Sequence, residues 1–140
     1  MNEVLLVALM ISLACVVFSI WSRIRYTYIS RKRKEEGVSF EVFQDAFSDD
    51  TSEGMLYTVY NHFSEMVKPP IPVLPRDDLG EMYGVVGDDI YDEMCEIATK
   101  CGLIPPSKES TVGVSTIADV VRLLQSLKGQ YSTLNKSPAE

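Results

Sequence analysis

The sequence predicts an all-α protein in which an N-terminal transmembrane helix precedes a small helical bundle. An uninterrupted apolar run lies near the N-terminus, and three later segments repeat their apolar residues with the period of an α-helix. No stretch alternates apolar and polar residues for long enough to build a sheet. The 140 residues accommodate this anchor and one domain.

The apolar run covers residues 4–21 and contains no charge, proline or glycine. Eighteen helical residues span roughly 27 Å, close to the hydrocarbon thickness of a bilayer. The start of the chain is acidic at Glu3, and the run ends in bulky Ile20 and Trp21, whereas a cleaved signal peptide needs a basic start and small residues at its cleavage site. We therefore assign residues 1–22 to a retained transmembrane anchor.

A basic juxtamembrane segment, residues 23–37, follows the anchor. Its cations are Arg23, Arg25, Arg31, Lys32, Arg33 and Lys34. Because positive charge favours the cytoplasmic side, we expect a single-pass protein of the inner (cytoplasmic) membrane with its N-terminus outside and its domain in the cytoplasm. Near the membrane surface such residues also attract anionic lipid by about 1 kcal/mol each, so membrane lipid is an expected partner.

The remaining chain is acidic. Residues 37–140 contain 7 basic and 17 acidic side chains, which gives a net charge of −10. This balance argues against nucleic-acid binding, which needs a basic face. The three cysteines are compatible with a reducing compartment and supply no disulfide framework.

We assign residues 38–129 to a helical domain. A short helix is predicted around Phe40, Phe43 and Phe47, with Ser39 as its N-cap. Three longer helices are predicted at about 53–67, 88–101 and 116–128. Their apolar stripes are Leu56, Val59, Tyr60, Phe63 and Val67 in the first, Ile90, Met94, Ile97, Ala98 and Cys101 in the second, and Ile117, Val120, Val121, Leu124 and Leu127 in the third.

Residues that typically start or end helices separate these segments. Pro69 and Pro70 end the first, and Gly102 and Gly129 end the others, while Thr116 and Asp119 form an aspartate version of the capping box. We expect residues 68–87 to be a long loop, 102–114 to contain at most a short turn, and the tail 130–140 to be disordered.

Signatures of catalysis are missing. The only histidine, His62, lies beside an apolar stripe, where a packed or edge role is the common one. Cys95 and Cys101 are about 240° apart around a helix and cannot share a metal. The aspartates at 77, 78, 88 and 89 fit no register of an EF-hand. We therefore predict no enzyme, no catalytic or metal-binding residues and no cofactor.

One helix face is strongly acidic. Five carboxylates lie within an arc of about 140°, opposite the apolar stripe of the second long helix: Asp88, Asp89, Asp92, Glu93 and Glu96. Two explanations fit such charge equally well: a surface that simply faces solvent, and a docking face for a protein with a basic surface. A third possibility is that this face folds back onto residues 23–34.

The order of these features resembles the acyl carrier protein fold over about residues 50–128. The likeness rests on the acidic second helix, on Ser115-Thr116-Ile117-Ala118-Asp119 before the last helix, and on Tyr83-Gly84-Val85-Val86-Gly87-Asp88-Asp89, which is similar to a loop of uncharacterised bacterial acyl-carrier-like proteins. The resemblance implies a helical bundle whose second helix docks basic partner enzymes. It also implies a serine that carries phosphopantetheine.

That serine is replaced in this chain. Its position falls on Gly87, or on Asp89 if the alignment slips, and residues 65–98 contain no serine or threonine. The sequence therefore predicts a membrane-tethered, non-enzymatic interaction module that docks a basic partner. Two alternatives stay open: a genuine group carrier modified at Ser107, Ser110 or Ser115, and an accessory subunit of a membrane complex.

Overall fold

The computed structural model describes residues 2–134, and every regular element in that range is helical. One helix is long and apolar enough to cross a membrane, and none of its apolar stretch is buried against the rest of the chain. The elements, in chain order, are α1 (Asn2–Glu35), α2 (Phe40–Asp45), α3 (Glu53–Met66), α4 (Leu79–Tyr83), α5 (Asp88–Lys100), a 3-10 turn (Glu109–Thr111) and α6 (Ile117–Leu134). The all-α prediction is confirmed.

Helix α1 continues without a break through the boundary that we drew at residue 22. The predicted anchor and most of the basic segment thus form one continuous helix of 34 residues. Gly37 ends it in a left-handed conformation (φ 76°). The amides of Gly37 and Val38 donate to the carbonyls of Lys34 and Arg33 at 3.1 and 2.9 Å, which satisfies the end of the helix.

Helices α2, α3, α5 and α6 enclose the core. The predicted stripes face inward: Leu56, Val59 and Phe63 of α3 are at most 1% exposed. Met94, Ile97 and Ala98 of α5 and Ile117, Val120, Val121 and Leu124 of α6 are equally buried. Three residues at stripe ends, Ile90, Cys101 and Leu127, are only half-buried. The short helix with Ser39 as N-cap is also confirmed, and its Phe43 is completely buried.

The segment 68–87, which we predicted to be a long loop, contains a short helix and part of the core. It contains α4, whose N-cap Asp78 accepts hydrogen bonds from the amides of Gly80 and Glu81. Its apolar residues Ile71, Val73, Leu79, Tyr83 and Val85 belong to the core. Backbone hydrogen bonds join it to the start of α6, including Leu79 N–H to the Ser115 carbonyl at 2.8 Å.

The C-terminal prediction was partly wrong. Gly129 does not end the last helix, because α6 continues to Leu134 and includes the first five residues of the predicted disordered tail. Residues 135–140 lie outside the described range. At the other end the predicted capping box is confirmed: Thr116 N–H donates to Asp119 Oδ2, and Asp119 N–H donates back to Thr116 Oγ1.

Candidate interaction surfaces

Helix α5 presents its carboxylates away from the core, as its sequence predicted. Asp88, Asp89, Asp92 and Glu96 are exposed, while Glu93 is half-buried at the edge towards α3. The structure therefore separates the five predicted partner-binding residues into four that face solvent and one that faces a neighbouring helix.

Two exposed carboxylates have cationic partners within the chain. Asp88 pairs with Lys108 at 2.8 Å and Glu96 pairs with Lys100 at 2.7 Å. The hydrogen bond from Lys108 lowers the pKa of Asp88, and the hydrogen bond and charge of Lys100 lower the pKa of Glu96. Within residues 2–134, Asp89 and Asp92 form no ion pair, although the charge of Asp92 contributes to the raised pKa of Lys108 after the hydrogen bond and charge of Asp88.

His62 connects α3 to the inner edge of the acidic face. Its Nε2 lies 2.6 Å from Glu93 Oε2, and its Nδ1 lies 3.0 Å from Lys100 Nζ. Because an ammonium group can only donate, Nδ1 accepts from Lys100, and Nε2 carries the hydrogen that Glu93 accepts. The His62 side chain is 7% exposed, in agreement with the packed role that we expected.

The same cluster contains the residues best placed to hold a metal ion. One ligand atom from each of His62, Glu93 and Glu96 lies within 4.8 Å of the others. The Lys100 ammonium already bonds to both His62 and Glu96, so a divalent cation would have to displace it. Only the pairing of α3 with α5 reveals this cluster, since His62 and Glu93 are 31 residues apart in the sequence.

The basic segment is divided between the domain and solvent. Its Arg33 is not available to a membrane surface, contrary to our expectation, because it is 8% exposed and pairs with buried Asp77. Nη1 and Nη2 of Arg33 donate to the two carboxylate oxygens at 2.8 and 2.6 Å, and Nη1 also donates to the Pro72 carbonyl at 2.6 Å. Burial opposes the charge of Arg33, but the hydrogen bonds and charge of Asp77 raise its pKa.

Two more residues of α1 bind the α4 region. Arg25 donates to the Glu81 carbonyl at 3.2 Å, and the Tyr26 hydroxyl donates to the Met82 carbonyl at 2.9 Å. Arg23, Arg31, Lys32 and Lys34 remain exposed. None of the ion pairs in the described part of the chain joins α1 to α5, so the fold-back of the acidic face onto the basic segment, which the sequence left possible, is not seen.

The residues at the position that the resemblance assigns to phosphopantetheine carry no hydroxyl. Gly87 caps α5 with φ 58°, a conformation that a side chain would strain, and Asp89 lies in the first turn. The alternative serines, Ser107, Ser110 and Ser115, are exposed.

We also compared the chain with known proteins. No protein-family model, curated protein or solved structure matches it.

Proposed function

We propose that this chain is a membrane-tethered, non-enzymatic interaction module with an acyl-carrier-like helical fold, which docks a basic protein through α5 on the cytoplasmic side of the inner membrane. The observation that carries the proposal is the pair Asp89 and Asp92, which are exposed and without a cationic partner among residues 2–134. They lie on a helix whose opposite face is core.

The neighbouring ion pairs are compatible with docking. Asp88 and Lys108 are 83% and 63% exposed, and exposed pairs of this kind contribute little to stability. A basic partner can exchange its own cation for Lys108 at small cost. The buried contact between α1 and the α4 region also supports the proposal, because it holds the domain against the helix that would anchor it.

The test is quantitative co-purification from detergent-solubilised membranes. We expect Asp89→Lys/Asp92→Lys to lose a specific partner that the wild type retains at low salt and releases as salt rises. The matched control is Asp49→Lys/Asp50→Lys, which reverses two exposed adjacent charges elsewhere in the domain. Equal retention by both variants, or a partner with an acidic contact surface, would contradict the proposal.

The group-carrier alternative has one observation in its favour. Ser107 and Ser110 border a groove of about 320 Å³ whose apolar walls include Ile104, Leu127 and Leu134. Mass spectrometry after incubation with coenzyme A and a phosphopantetheinyl transferase tests this reading. A mass gain that disappears in Ser107→Ala/Ser110→Ala would establish a carrier in place of a simple docking module, and an unchanged mass would eliminate these two serines.

A further inference from the structure

The domain lies beside α1 as far as the last turn of its apolar stretch. A cleft of about 450 Å³ lies between α1 and the C-terminal end of α3. Phe18, Ser19 and Ser22 form one side, and Met66, Val67 and Lys68 form the other. Since Phe18 belongs to the apolar run, residues 66–68 must lie beside the end of the membrane-spanning part of α1.

Helix geometry then gives the depth of the cleft. The apolar run ends at Trp21, which marks the edge of the hydrocarbon. Arg23 then lies about 3 Å beyond that edge, in the headgroup layer, and Phe18 lies about 4.5 Å inside it. Lys32 lies about 16 Å beyond Trp21, further than the Debye length of about 8–10 Å at physiological salt.

The side chains of the cleft match a lipid at that depth. Arg23 and Lys68 are its cations, both exposed and neither in an ion pair within the described chain. Exposed Phe18 and half-buried Met66 supply apolar surface. Among the described residues that line it there is no carboxylate, although the domain as a whole is acidic.

We propose that this cleft binds the headgroup of an anionic phospholipid, with the phosphate between Arg23 and Lys68 and the start of the acyl chains against Phe18 and Met66. The inference rests on the membrane insertion proposed above and deepens it. It adds Lys68 to the lipid-binding residues, and it assigns lipid binding to this cleft instead of the distal cluster Arg31–Lys34.

The experiment uses the full chain in nanodiscs of equal parts phosphatidylcholine and phosphatidylglycerol. Native mass spectrometry measures which lipids remain bound after release from the disc. We expect the wild type to retain phosphatidylglycerol in preference to phosphatidylcholine. Each cation removed should lower that preference about fivefold, so Arg23→Gln/Lys68→Gln should lose about 25-fold.

The matched control is Lys32→Gln/Lys34→Gln, which removes the same charge from exposed positions further along α1. It should keep the preference within about twofold, because those residues lie beyond the screening length. Equal losses in the two variants, or no preference in the wild type, would overturn the assignment to the cleft.

Insertion is measured separately by the single tryptophan, Trp21. Phosphatidylcholine with brominated acyl chains should quench its fluorescence in the wild type and in both variants. Absence of quenching would contradict the proposed tethering itself. Quenching without phosphatidylglycerol preference would contradict only the headgroup site.

Discussion

At the scale of single residues, the Arg33–Asp77 pair joins α1 to the domain. Four donors converge on the Asp77 carboxylate: both Arg33 nitrogens, the Leu74 amide at 2.9 Å and the Tyr83 hydroxyl at 3.0 Å. Burial, followed by the charge of Asp77, raises the pKa of Tyr83, so the phenol stays protonated and donates. A buried charge is tolerated here because its hydrogen-bonding capacity is satisfied.

Removal of one partner should therefore be costly. We expect Arg33→Met to lower the free energy of unfolding by about 3–5 kcal/mol, because it leaves Asp77 buried and unpaired. Arg33→Met/Asp77→Asn should recover part of that loss, because a neutral amide oxygen can still accept from the Leu74 amide and the Tyr83 hydroxyl. Lys34→Met, at an exposed neighbour, should stay within about 0.5 kcal/mol. Denaturant unfolding in detergent measures all three variants. A small loss of stability in Arg33→Met would show that water reaches the Arg33–Asp77 pair.

The capping carboxylate of α6 gives a prediction with a defined pH dependence. Partial burial would raise the pKa of Asp119, but hydrogen bonds from Ser115 and Thr116 outweigh it and lower the pKa. Stability from a lowered carboxyl pKa is present above the unfolded-state value near 3.8 and is lost as pH falls through the folded value.

We expect Asp119→Ala to cost about 1 kcal/mol at neutral pH, the usual cost of a lost cap. The difference from the wild type should shrink as pH falls below about 4, since protonated Asp119 no longer accepts these bonds. Melting temperatures of both proteins across this pH range measure the effect. A difference that does not change with pH would mean that the charge of Asp119 is not what stabilises the cap.

At the scale of elements, apolar periodicity predicted α3, α5 and α6 because each buries one continuous stripe. Helix α4 was missed because it is only five residues long and follows a proline-rich stretch, although Asp78 and Gly84 are ordinary start and stop signals. The contacts of the candidate surfaces were not predictable. Arg33 and Asp77 are 44 residues apart, and nothing local in the sequence pairs them.

The error at Gly129 leads to a prediction about α6. The helix passes through this glycine, and a Cβ added there would meet no atom within 4 Å. We expect Gly129→Ala to raise the free energy of unfolding by about 0.5–1 kcal/mol, because glycine costs a helix interior about that much relative to alanine. Denaturant unfolding measures the gain. A loss would indicate that residues 130–134 are not helical in solution.

At the scale of the whole molecule, α1 combines a stretch long and apolar enough to cross a membrane with a stretch packed on the domain, in one continuous helix. Its domain-facing residues recur every three or four positions and include Ser22, Tyr26, Ser30 and Arg33. Because the helix is unbroken and packed along this stripe, it leaves no flexible linker between the apolar stretch and the domain among the described residues. In the proposed tethering, a partner of α5 would therefore meet the domain in a fixed orientation relative to the bilayer.

The direction of insertion is the last prediction, and it depends on charge. No basic side chain precedes the apolar run, whereas six follow it within residues 23–34. We expect the domain to stay in the cytoplasm, so a C-terminal fluorescent protein should be bright and a C-terminal alkaline phosphatase inactive. Replacement of the four exposed cations Arg23, Arg31, Lys32 and Lys34 by glutamine should weaken this bias and yield a mixed population. Alkaline phosphatase activity in the unmodified chain would reverse the assignment, and it would place the acidic face of α5 on the opposite side from any cytoplasmic partner.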